Sequence, residues 1–159
     1  LHLMIKDPDR WAPEFAEMGV FSVTFHAEAA TSPVTLAKKL RERGARAGIA
    51  INPSTPLSAV EEILPHFDQL LIMTVEPGFG GQSFMADMMP KLARADALRR
   101  SHGLETWLQV DGGISLDTIE FAASNGADTF VAGSAVFRGD PGEQIAALRA
   151  AAEAAPHAH

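Results

Sequence analysis

"QLLIMTVEPGFGGQSF", residues 69 to 84, carries an apolar run straight into three glycines and a proline. Leu70, Leu71, Ile72 and Met73 follow one another with no polar residue between them, the signature of a strand covered on both faces. Gly78, Gly80 and Gly81 then fall within four positions. Glycine has the most backbone freedom to lose on folding, so a cluster of this kind needs a reason. A flexible linker would not follow a buried strand so directly, nor carry Phe79 and Phe84. The stretch predicts a strand that ends in a loop whose backbone N–H groups approach a bound group. Successive glycine N–H groups of that kind make an anion-binding nest.

The same pattern recurs on either side. Leu1–Ile5 precedes a helical stretch at Asp9–Met18, Val20–His26 precedes Pro33–Arg43, and Arg46–Ile51 precedes Leu57–Leu64. Gln69–Val75 precedes Met85–Arg100, Thr106–Val110 precedes Leu116–Ser124, and Thr129–Ala132 precedes Gly142–Ala154. Six strand-then-helix units with nearly continuous apolar strands predict an α/β fold, a parallel sheet covered by helices. Gly19, Gly44 and Gly126 each stand just before a strand, as helix C-terminal stops.

Composition narrows the classes of function. A chain of 159 residues, 47% of them hydrophobic, suits one domain with a real core. We expect that domain over residues 1–150 and a disordered tail, "AAEAAPHAH", over 151–159, its histidines incidental. The net charge of −7 and the lack of a Lys/Arg cluster argue against nucleic acid as a partner. No stretch approaches the roughly 20 apolar residues of a membrane span, and no secretory signal is visible. The absence of cysteine excludes disulfides and thiolate metal sites and makes a cytoplasmic location the expectation.

In parallel α/β architectures the chemistry sits at the carboxyl ends of the strands. Here those ends read "HLM", "TFHAEA", "AINPSTP", "MTVEPGFGGQ", "QVDGGI" and "VAGSAVF". Three of the six, all in the second half, are glycine turns: Gly78–Gly81, Gly112-Gly113 and Gly133-Ser134. Any one of them alone reads as a tight βα turn. Three at one end of one sheet predict a phosphate site, placed where closed barrels build theirs, after the last strands. Asp111 ends a buried strand beside it. It reads either as a turn or helix-capping residue, or as a metal ligand, a general base, or both. His2, at a strand end beside Met4, poses the same choice between core and site. His26, also at a strand end, reads as a supporting or structural residue.

"HLMIKDPDRW", "TFHAEA", "MTVEPGFGGQSFMADMMPKL", "VDGGI" and "VAGSAVF" together resemble the ribulose-phosphate 3-epimerases, in order, from Leu1 to about Leu148. The resemblance implies a (β/α)8 TIM barrel of which this chain carries about six βα units, strands three to eight. It implies one divalent metal ion (zinc, iron, manganese or cobalt) and interconversion of D-ribulose 5-phosphate and D-xylulose 5-phosphate. His2 and Asp111 match metal ligands, and Asp111 one of two acid/base carboxylates. His2, Gly78, Phe79, Gly80, Gly81, Asp111, Gly112, Gly113, Gly133 and Ser134 match substrate and phosphate contacts, and Met4 and Met73 match methionines that line the site. The family's other carboxylate lies in a His-x-Asp segment carried by its first two strands, which this stretch does not match. The resemblance therefore implies a weak or absent epimerase activity for this stretch alone, and a homo-oligomer for the full-length parent. Related readings are an epimerase of a six-carbon ketose phosphate such as allulose 6-phosphate, and a non-catalytic phosphosugar-binding fragment.

Overall fold

The computed structural model describes residues 1–156. Its strands are β1 (His2–Leu3), β2 (Ser22–His26), β3 (Arg46–Ile51), β4 (Gln69–Met73), β5 (Trp107–Asp111) and β6 (Thr129–Val131). They form one sheet in the order β1-β2-β3-β4-β5-β6, every neighbouring pair parallel. The helices are α1 (Pro8–Glu17), α2 (Pro33–Glu42), α3 (Met89–Ser101), α4 (Ile119–Ser124), α5 (Ser134–Phe137) and α6 (Pro141–Ala154). Sequential parallel strands with helical crossovers make this an α/β chain, an incomplete barrel of six βα units of the TIM type.

Local chemistry sets most boundaries. Pro8, Pro33, Pro90 and Pro141 stand in the first turns of α1, α2, α3 and α6, where a missing N–H costs nothing. Gly19, Gly44 and Gly126 take φ of +85°, +84° and +107° just after α1, α2 and α4, as expected of helix stops. Other expectations needed correction. The third helical stretch is two 3₁₀ segments, Leu57–Ala59 and Glu61–His66, parted at Val60, whose φ of −127° lies outside the helical range. The expected tail is helical as far as Ala154, since Ala151 and Ala152 pack against the core. His157 and His159 lie outside the described residues.

The period of two along each strand divides the sheet into two faces. Val23, Phe25, Ile49, Ile51, Leu70, Ile72, Leu108 and Val110 point outward and are fully buried under the helices in the main core. The alternate residues line the concave face. There Ala50, Leu71, Met73 and Val75 form a second, small apolar cluster near the carboxyl ends. Lower down, Gln69 Nε2 donates to Gln109 Oε1 at 2.9 Å and reaches over β3 to Thr24 Oγ1 at 3.2 Å. Gly48 lies in register between Thr24 and Gln69. A Cβ there would come within 2.2 Å of Thr24 Oγ1, so glycine is what lets that bond cross the strand.

The sheet is strongly curled. In a flat sheet β1 and β5 would stand roughly 19 Å apart, four spacings of about 4.8 Å. Instead His2 Nδ1 of β1 lies 3.3 Å from Asp111 Oδ2 of β5, across the concave face.

Candidate functional site

Three loops at the carboxyl ends of β4, β5 and β6 enclose a cleft of about 230 Å³. Phe79, Gly80, Gly81, Asp111, Gly112, Gly113, Gly133 and Ser134 line it, together with Val75, Gln82, Ile114 and Val131. Of the residues singled out in the sequence, Gly78 stands just outside this lining at φ +113°, where it turns the loop. Met73 lies beneath, 2% exposed and in register with Asp111. Met4, just past β1, is 55% exposed and does not line the cleft. The cleft has no lysine or arginine in its lining. An anion in it would therefore be held by backbone N–H groups and hydroxyls against a net charge of −7.

The loops are tied to one another. Thr74 Oγ1 donates to the Gly112 carbonyl at 2.7 Å, and the Thr74 amide donates to the Asp111 carbonyl at 2.9 Å. Gln82 Nε2 donates to the carbonyls of Glu76 and Phe79, which folds the "GFGG" segment back on itself. Thr118 Oγ1 donates to the Gly113 carbonyl at 2.9 Å. Helix dipoles add little to the cleft. The helix that Ser134 opens has four residues, and α4 begins only at Ile119, six residues past Gly113.

A polar chain runs from the cleft along the strand ends. His2 Nδ1 lies 3.3 Å from Asp111, and His2 Nε2 lies 2.7 Å from His26 Nε2. His26 Nδ1 lies 3.4 Å from Glu28 Oε2. Glu28 Oε1 in turn accepts from the Asn52 amide and the Thr55 hydroxyl, both at 2.6 Å. Lys91 of α3 donates to the carbonyls of Asn52, Pro53 and Thr55, which anchors that loop. His26 thus lies between His2 and Glu28. Glu28, Thr74 and Gln82 were missed in the sequence; for Glu28 the one signal was its position two residues past His26 at a strand end.

Burial opposes the charge on Glu28, but hydrogen bonds from His26, the Asn52 amide and Thr55 outweigh it and bring the carboxyl down to about 2. A folded-state value below the ordinary carboxylate range of about 4.3 stabilises the fold above that range. That contribution is lost as pH falls from about 4.5 through about 2. We expect the melting-temperature gap between the parent chain and Glu28→Gln to shrink steadily across this window. A gap that stays constant from pH 6 to pH 2.5 would contradict the assignment.

A metal ion can be tested against these residues. The donor types suit a divalent ion, since one imidazole nitrogen and one carboxylate oxygen converge within 3.3 Å. The number does not suit it. Among the described residues no group of three or more His, Cys, Asp or Glu is placed to hold a metal, whereas protein sites use three or four. No helix among the described residues is long and apolar enough to cross a membrane.

The profile of the ribulose-phosphate 3 epimerase family matches residues 1–137. The ribulose-phosphate 3-epimerase of Mycobacterium leprae (strain TN) is 52% identical over 158 residues, which cover 98% of this chain and 70% of the relative. That of Mycobacterium tuberculosis (strain H37Rv) is 52% identical over 155 residues, 97% of this chain and 68% of the relative. Among solved structures, 3-keto-L-gulonate-6-phosphate decarboxylase from Vibrio cholerae superimposes with a TM-score of 0.72 at 20% identity, over 98% of this chain and 72% of that one. That likeness supports the barrel architecture alone. By the profile and the identity of its relatives, the chain belongs to the ribulose-phosphate 3-epimerase family.

Proposed function

We propose that this chain carries the phosphate grip and one acid/base carboxylate of a ketose-phosphate 3-epimerase acting on D-ribulose 5-phosphate and D-xylulose 5-phosphate. The observation that supports it is the convergence of three glycine loops and Asp111 on one cleft. The phosphate lies against the N–H groups of Gly80, Gly81, Gly113 and Ser134. The sugar extends from it toward Asp111, with Met73 and Val75 as an apolar floor.

Epimerisation begins at the C3–H bond, which is acidic because C2 is a carbonyl. Asp111 takes the proton, the C–H electron pair forms the C2–C3 double bond, and negative charge develops on O2. Return of a proton to the opposite face of C3 gives the other epimer, so inversion needs a second acid across the plane of the C2–C3 double bond from Asp111. Among the described residues that line the cleft, Asp111 is the one carboxylate. His2 and Asp111 would contribute two ligands to a divalent ion, which when bound stabilises an oxyanion as a Lewis acid. The part played by this chain's own residues is to hold the phosphate, to orient the sugar and to accept the C3 proton.

The test follows ribulose 5-phosphate with the chain in deuterated water containing a divalent metal salt. We expect amide shifts on binding at Gly78–Gly81, Gly113 and Ser134, and deuterium at C3. Exchange at one face without epimer would identify Asp111 as a base working alone. Binding shifts confined to other regions, with C3 fully protonated, would refute the proposal.

A further inference from the structure

Two histidines at neighbouring strand ends share one bond, and the groups beyond them decide its direction. The Nε2 atoms of His2 and His26 lie 2.7 Å apart, so one must donate and the other accept. The rings stack with centroids 4.9 Å apart, which fixes their orientation. Beyond His26 stands Glu28 Oε2, 3.4 Å from Nδ1; beyond His2 stands Asp111 Oδ2, 3.3 Å from Nδ1. With both rings neutral there are two ring protons, one of which occupies the Nε2–Nε2 bond. The other faces either Glu28 or Asp111, and the second carboxylate then meets a bare nitrogen lone pair.

The surroundings break this symmetry in favour of Glu28. His26 is buried, 7% exposed, so a lone pair against a carboxylate there would be poorly screened. Glu28 cannot turn away, because the Asn52 amide and the Thr55 hydroxyl hold its other oxygen. Asp111 instead faces the cleft, where a donor from a bound molecule can reach it.

We infer that Glu28, acting through His26, holds His2 with its proton on Nε2 and turns the His2 Nδ1 lone pair toward Asp111. The bonds run in one direction: His2 Nε2–H donates to His26 Nε2, and His26 Nδ1–H faces Glu28. Neither Glu28 nor His26 lines the cleft; both are positioning residues. The result is a pair of acceptors side by side, His2 Nδ1 and Asp111 Oδ2, ready for a ligand hydroxyl. The value of this pair to catalysis rests on the epimerase reading, but the tautomer does not.

Nitrogen NMR of the histidine-labelled, chelator-treated chain reads it directly, at a pH roughly two units above the ordinary imidazole value of about 6.5. We expect His2 to show the Nε2–H pattern and His26 the Nδ1–H pattern. In Glu28→Gln the carboxamide can donate or accept, so His2 should shift to a mixture of tautomers. Glu28→Asp, which keeps the carboxylate, should restore the parental pattern. An Nδ1–H pattern for His2 in the parent chain would overturn the inference even if Glu28→Gln failed to fold. A parental pattern in Glu28→Gln would overturn it as well. None of these readings needs turnover, so an inactive chain would count against the proposed reaction and leave the tautomer assignment standing.

Discussion

Replacing Asp111 with asparagine is expected to slow exchange of the C3 proton of ribulose 5-phosphate by about 10²–10⁴-fold, the usual contribution of one positioned acid/base group. Asparagine keeps the size of the side chain and leaves the turn into Gly112-Gly113 intact. It has no basic oxygen able to hold the abstracted proton. The effect should be confined to the chemical step. Asp111 ends β5 beside the glycine loops, but the loops themselves are held by Thr74, Gln82 and Thr118. Titration with inorganic phosphate should therefore shift the same amides in the variant as in the parent. Deuterium incorporation at equal rates in both proteins would show that the base lies elsewhere. Loss of phosphate binding together with exchange would show instead that Asp111 organises the loops.

Gly113→Val is expected to be the most damaging substitution in the phosphate loops. Gly113 has φ +66°, a left-handed conformation that costs an L-residue about 1–2 kcal/mol. A Cβ there would also stand 2.5 Å from the Phe84 amide nitrogen and 2.7 Å from its Cα. Both are backbone atoms, and forcing them apart adds roughly 1–3 kcal/mol. A total of roughly 2–5 kcal/mol corresponds to a fall of about 4–20 °C in melting temperature for a chain of this size. Phosphate binding should be lost too, since the Phe84 backbone, just past the "GFGG" segment, rests against Gly113 and would be pushed away. Gly133→Val supplies the contrast. Gly133 has φ −103°, and nothing lies within 4 Å of its missing Cβ. That variant should melt close to the parent and yet bind phosphate poorly, because the new side chain fills the cleft. Equal melting temperatures for Gly113→Val and the parent would remove the backbone argument. Undiminished phosphate binding by Gly133→Val would remove that residue from the site.

The alternation of six strands with helical segments was legible in the sequence, because strand and helix periods are written in windows of five to fifteen residues. So were the glycine loops, since left-handed turns and helix stops depend on the residue itself: Gly19, Gly44 and Gly126 stop helices as read, and Gly78, Gly81, Gly112 and Gly113 all take positive φ. Asp111 could be picked out because a carboxylate that ends an apolar strand has only a few uses. Tertiary structure decided the rest. Residues 57–66 form two 3₁₀ segments in place of one α-helix, with a break at Val60 that the apolar spacing does not announce. Gly48 has an ordinary φ, and its need for hydrogen in place of a side chain comes only from Thr24 and Gln69 on the strands either side. Glu28 becomes informative once His26 and the Asn52–Thr55 loop close around it. The contact between His2 and Asp111 depends on all of these, because only the accumulated curl of five packed strands carries β1 round to β5. That curvature is a sum of small twists set by packing across the whole sheet, and no short stretch of sequence contains it.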